Sequence, residues 1–155
     1  MNTPKHRRSI AFWIIVVFLV LIILTTIIGP TMGVFNYNLT VRLGLQDSPK
    51  QVGEFGVQVN RAFGASDTII YLPLMLLSLI GLFLKRRWSL VTTAAVAAIT
   101  TYTAATLGFM YLFMPGTPGY NLKPGFGIWF VVGATAIFGI WIILFVIRQG
   151  DKLLD

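Results

Sequence analysis

Few residues of this chain are equipped for chemistry, and the clearest group occupies one short stretch: Arg61, then Ser66-Asp67, then Tyr71 and Pro73. An arginine and an aspartate at a helix mouth, with a tyrosine hydroxyl about one turn deeper, can line a cleft for a small polar head group. The plainer arrangement of the same residues is structural, with Asp67 capping the helix it opens and pairing with Arg61. Thr100 and Tyr102, in a later apolar stretch, add hydroxyls and complete the candidate ligand-binding set.

The rest of the chemical inventory is thin. There is no cysteine, which removes disulfides, iron–sulfur ligation and thiol catalysis. A single histidine, His6, sits in a polar N-terminal tail, the wrong end of the chain for a hydrolytic triad. Five acids include Asp151 and Asp155 in the C-terminal tail, so no metal site and no cofactor are expected. No glycine-rich phosphate loop and no nucleic-acid-binding motif occurs. Catalytic residues are therefore expected to be none.

The elements that must position these residues are read from the apolar pattern. With 155 residues, 56% hydrophobic and only 11% charged, at a mean hydropathy of +0.81, the chain is far from a water-soluble domain. Four apolar runs, about residues 10–34, 67–84, 88–114 and 128–147, carry no Asp, Glu, Lys or Arg in their interiors. Each reaches the roughly 20 residues that cross a hydrocarbon core, and a bilayer forces such runs into helices. The expected fold is all-α: a single transmembrane four-helix bundle with outer loops 35–66 and 115–127.

Basic residues set the expected orientation. Lys5, Arg7, Arg8, Lys85, Arg86, Arg87, Arg148 and Lys152 fall on one side, against Arg42, Lys50, Arg61 and Lys123 on the other. The positive-inside rule places the first set, with both termini, in the cytoplasm, giving a multi-pass protein of the cell inner membrane. The net charge of +7 is then a topology signal against anionic lipid and calls for no nucleic acid.

Within the helices, the first run is greasy all round and has no obvious inner face until Gly29-Pro30 kinks it. The second is expected to start at Ser66-Asp67, since a start at Pro73 would leave it too short to span, and Pro73 then frees the Ile69 carbonyl. The third offers small residues at four-residue spacing, Ala94/Ala98, Ala97/Thr101 and Thr101/Ala105, and is expected to be the central packing element. The fourth answers with Thr135/Gly139. Val52, Phe55, Val59 and Ala62 or Phe63 have helical spacing and predict a short interfacial helix. Tyr37-Asn38-Leu39 and Tyr120-Asn121-Leu122 hint at two duplicated hairpins.

Gly64-Ala65-Ser66-Asp67, followed by an apolar span and Lys85-Arg86-Arg87-Trp88, resembles the DoxX-like small bacterial four-helix membrane proteins, which carry a Gly-Ala-x-Asp sequence entering their second helix. The chain departs from that pattern by a serine where arginine is common and by a proline within the helix. The resemblance implies a four-helix bundle; some such proteins are accessory subunits of quinone-linked oxidoreductases, and no active site transfers. Three functions are therefore in play. The first is a non-catalytic accessory or scaffolding subunit that packs against a partner or against itself. The second is a binder or carrier of a small lipophilic molecule, a quinone or a lipid, between kinked helices. The third is a membrane enzyme using Asp67, Arg61 and Tyr71.

Overall fold

The computed structural model describes residues 8–154, so Lys5, His6, Arg7 and Asp155 lie outside the described residues. Among the described residues the chain is helical with no strands: α1 (Ile10–Phe35), the short α2 (Tyr37–Arg42), α3 (Pro49–Phe83), α4 (Trp88–Phe113) and α5 (Phe126–Gln149), the last prolonged by a 3-10 turn, Gly150–Leu153. The helices α1, α3, α4 and α5 are long and apolar enough to cross a membrane.

One end of the bundle gathers the start of α1, the α3–α4 turn and the C-terminal turn. Ser9 opens α1 by accepting the Phe12 N–H, and its own hydroxyl donates to the Lys152 carbonyl. The Arg8 guanidinium donates to the Leu82 and Phe83 carbonyls at 3.0 and 2.9 Å. Carbonyls of a last helical turn lack intrahelical donors, and a cation there also meets the negative end of the helix dipole. The core rises from this end: Phe12, Ile15 and Leu19 of α1, Met75 and Leu82 of α3, Val96 and Ala97 of α4, Ile142 of α5, and Leu153 folded back beneath them. The first helix therefore has an inner face after all. Packing selects Phe12, Ile15, Val16, Leu19 and Ile23 at helical spacing from a run whose composition is uniform.

The α4 helix lies between α3 and α5, and its contacts with α5 are the most extensive in the bundle, whereas α1 rests on α3. It is thus a shared neighbour of two helices rather than the hub of all four. Of its three small-residue pairs, Ala97/Thr101 forms the α5 contact, because a Cβ on Gly139 would collide with the Thr101 hydroxyl and sit 3.0 Å from the Ala97 carbonyl oxygen. Ala98 and Ala105, one from each of the other pairs, are exposed. Its hydroxyls are sorted as well: Ser89 abuts Gly81, Thr100 meets Tyr71, and Thr93 between them is buried.

The second long helix departs most from expectation. It does not begin at Ser66-Asp67, where the backbone is helical on both residues, but at Pro49, after Ser48. Ser48 N–H and hydroxyl both contact Gln51 Oε1 at 2.8 Å, and Pro49 occupies a first-turn position that needs no N–H. The amphipathic stretch 51–63 is therefore helical but broken at Gly53, and from Glu54 it runs on into the spanning part of α3 instead of forming a separate interfacial helix; most of the expected loop 35–66 is helical. Gly53, at φ +70° and ψ 169°, interrupts the first turns of α3, and the stretch from Glu54 to Phe83 is about 45 Å long, still beyond the roughly 30 Å of a hydrocarbon core. The Tyr-Asn-Leu triplets differ too: Tyr37 lies in α2 and Tyr120 in irregular chain, so their local structures do not repeat.

Both prolines act through wide turns. In α1, Ile27–Thr31 is a π turn containing Pro30, closed by the Met32 N–H on the Ile27 carbonyl. In α3, Asp67–Tyr71 is a π turn just before Pro73, closed by the Leu72 N–H on the Asp67 carbonyl. Such five-residue bonds shift the hydrogen-bond register where proline withholds a donor. The two turns face one another, and Thr68 Oγ1 lies 3.0 Å from Thr31 Oγ1 while donating to the Gly64 carbonyl. A Cβ on Gly64 would stand 2.5 Å from the Pro30 carbonyl oxygen, so only glycine permits this crossing.

Gly64→Ala and Gly139→Ala should each destabilise the fold by about 1–3 kcal/mol through overpacking. Gly133, with nothing near its missing Cβ, should accept alanine with no loss, or with a gain of up to about 1 kcal/mol. Thermal unfolding of the three variants in one detergent checks the contrast.

Candidate functional site

The bend at Asp67–Tyr71 divides α3 into two halves with different partners. Below it, Leu72–Phe83 packs along α4; above it, Pro49–Ser66 leans onto the second half of α1. The wedge left between upper α3 and upper α4 is a cleft of about 630 Å³. Asp67, Gly64, Phe63 and Asn60 form its α3 wall, and Tyr102, Thr103, Thr106, Leu107, Met110 and Tyr111 form its α4 wall. Pro30 and the segment from Val41 to Ser48 close the remaining side. One helical turn below Asp67 and Thr103, Tyr71 and Thr100 are buried and hydrogen-bonded to each other, tying the helices together beneath the opening. Because the Thr100 hydroxyl donates to the Val96 carbonyl at 2.8 Å, the Tyr71 phenol is the donor of that pair.

The closing segment follows from local rules. Asn36 caps α2 by accepting the Leu39 N–H. The helix ends with Gly44 at φ +70°, Leu45 N–H on the Thr40 carbonyl and Gly44 N–H on the Val41 carbonyl, the paired bonds of a Schellman stop. The chain then turns back over the cleft through Gln46, Asp47 and Ser48. Tyr37 holds this strap in place: its phenol donates to the Asp47 backbone carbonyl at 2.8 Å and accepts from Asn60 Nδ2 at 3.0 Å. Burial pushes the Tyr37 phenol above its ordinary value, opposed by the Asn60 hydrogen bond and reinforced by the nearby Asp47 charge. The second irregular segment docks alongside, with Asn121 N–H on the Gln51 carbonyl at 2.6 Å and Asn121 Nδ2 on the Lys50 carbonyl at 3.1 Å.

The five residues singled out from sequence are divided by the structure. Asp67 and Tyr102 line the cleft. Tyr71 and Thr100 are paired beneath it and are not part of its walls. Arg61 is exposed, donates to the Val34 carbonyl at 3.3 Å and lies 3.5 Å from Gln58 Oε1, so it does not pair with Asp67. The expected cap and ion pair are both absent, because Asp67 lies inside a continuous helix whose next turn consumes the orphan N–H groups a cap would satisfy.

Asp47 was not singled out in the sequence. It sits on the strap, half-buried, with a carboxyl raised above the ordinary aspartate range by burial. No ion pair to either Asp47 or Asp67 forms among the described residues, and no lysine, arginine or histidine lines the cleft. Groups of three or more metal-ligating side chains are absent among the described residues. What the arrangement offers is recognition: carboxylates, hydroxyls and amides on walls otherwise built from Phe63, Leu107, Met110 and the tyrosine rings.

Comparisons with protein-family models, with curated proteins and with solved structures find no match to this chain.

The raised Asp47 carboxyl gives a signed prediction. A group that folds with a higher pKa than it has when unfolded disfavours folding once pH passes the unfolded value, near 3.8. Asp47→Asn removes that effect, so the variant should melt above the parent at pH 7, and the difference should shrink as pH falls toward 4. Melting curves at pH 4, 5.5 and 7 measure it.

Proposed function

We propose that this is a multi-pass membrane protein of the cell inner membrane that binds a small amphiphilic molecule in the cleft between α3 and α4. The observation that carries the reading is the cleft itself: about 630 Å³, polar and apolar groups on the same walls, and an opening held by a bent helix. Specific small-molecule sites typically occupy roughly 300–1,000 Å³ with a few placed polar groups on apolar walls. Four helices of spanning length support the membrane setting. The positive-inside rule supports cytoplasmic placement of the end that carries Arg8, Lys85–Arg87, Arg148 and Lys152. In that orientation the cleft lies toward the outer leaflet, where a molecule with an apolar tail and a polar head is at home.

A second reading, the accessory subunit that the DoxX-like resemblance brings with it, is favoured by α5. Only 11% of its spanning window is buried, and Phe130, Val131 and Ile137 face outward. A partner or a second copy seated there leaves the cleft free, so the two readings are compatible.

Mass spectrometry of the intact protein released from mild detergent tests the binding reading. The parent should retain a small molecule, and Thr106→Phe, which fills the α4 wall, should lose it with helical content unchanged. Parent protein that carries nothing after extraction from its own membrane contradicts the reading.

A further inference from the structure

The charge of the cleft points to the class of molecule it takes. Asp47 reaches it from the strap and Asp67 from the bend of α3, so two acids from separate elements share one opening. Nothing balances them: the walls hold no cation, and Arg61, the basic residue nearest in sequence to Asp67, is engaged elsewhere on the Val34 carbonyl. The other polar groups include acceptors for N–H donors, among them the Ser48 hydroxyl and the Asn60 amide oxygen. Tyr102, Tyr111 and Phe63 add aromatic rings to the walls, and a ring's quadrupole attracts a cation and repels an anion over its face. A phosphate or fatty-acid head would meet like charge with no cation to offset it, and the neutral hydroxyl and amide donors of the walls could serve a quinone carbonyl but would leave both carboxylates uncompensated.

We propose that the cleft selects a cationic amphiphile, a protonated amine carrying an apolar tail. This deepens the binding reading above and rests on it. The ammonium sits between Asp47 and Asp67 with its N–H groups on carboxylate oxygens, in charge-assisted bonds of the stronger kind. The tail lies against Phe63, Leu107 and Met110 and continues between α3 and α4 toward the surroundings of the bundle.

Three probes with one tail and different heads separate head from tail: 4-phenylbutylamine, 4-phenylbutan-1-ol and 4-phenylbutyrate. They are titrated at pH 7 into the full-length chain in phosphatidylcholine nanodiscs, with binding to empty nanodiscs subtracted. The amine should bind at least about tenfold more tightly than the alcohol, with the butyrate weakest. Asp47→Asn and Asp67→Asn should each bring the amine down toward the alcohol, weakening the amine far more than the alcohol, with helical content unchanged. An alcohol that binds as well as the amine, or an amine indifferent to both substitutions, overturns the amine assignment and leaves the cleft as a binding site. If no probe binds, or if Thr106→Phe binds all three as the parent does, the cleft reading itself falls, and the amine assignment with it.

Discussion

A proline inside a long apolar helix withholds one backbone donor, and the rest of this structure is arranged around that loss. In the membrane setting proposed here, no water stands ready to satisfy the freed carbonyl, so the chain itself must adjust. It does so twice, at Ile27–Thr31 and at Asp67–Tyr71, by widening one turn until an N–H five residues on can close it. The two wide turns lie side by side, with the Thr31 and Thr68 hydroxyls in contact and Gly64 admitted to the Pro30 carbonyl. A bend made this way has a fixed direction, because it is held from both helices.

That direction separates the molecule into a packed half and an open half. Beneath the bends, Phe12, Ile15, Leu19, Met75, Leu82 and Ile142 fill the interior, and their close van der Waals packing, not transfer out of water, supplies the stability in such a setting. Above them, upper α3 has left α4, and the space is spanned by discrete polar ties: Asn60 to Tyr37, Tyr37 to Asp47, Asn121 to Gln51. Individual hydrogen bonds of this kind contribute about 0.5–1.5 kcal/mol each, far less than a packed core, so the open half is the part able to accommodate a guest. Tyr71 and Thr100 mark the boundary between the two regimes.

Much of the packed half was legible in the residues. Four uninterrupted apolar runs announce four long helices, and Ala97/Thr101 with Gly139 is a close-packing pair that spacing alone can suggest. The inner face of α1 was not legible, since a helix apolar on every side leaves the choice to its neighbours. The length of α3 was missed for a related reason. The helix does break at Gly53, which takes φ +70° and ψ 169°, but it resumes at Glu54, and contacts with α1 carry it past Ser66-Asp67 without a new start. A helix start at Asp67 would bring a cap and an Arg61 pair with it; a helix running past it leaves its side chain to the cleft. Asp47 carries no local signal, because it reaches the cleft only after Gly44 stops α2 and turns the chain back. Thr103, Thr106 and Met110, in contrast, have the spacing of one helix face and could have been read from the sequence.

The central claim is that the space above Tyr71 and Thr100 is open while the space below is closed. The absence of cysteine from the chain makes single-cysteine chemistry a direct probe of it. Thr103→Cys, on the cleft wall, should react with a small water-soluble methanethiosulfonate, whereas Val96→Cys, buried one helical turn beneath Thr100, should stay unmodified until the protein is denatured. Equal inertness at both positions would mean that α3 lies against α4 along its whole length, and the account would fail.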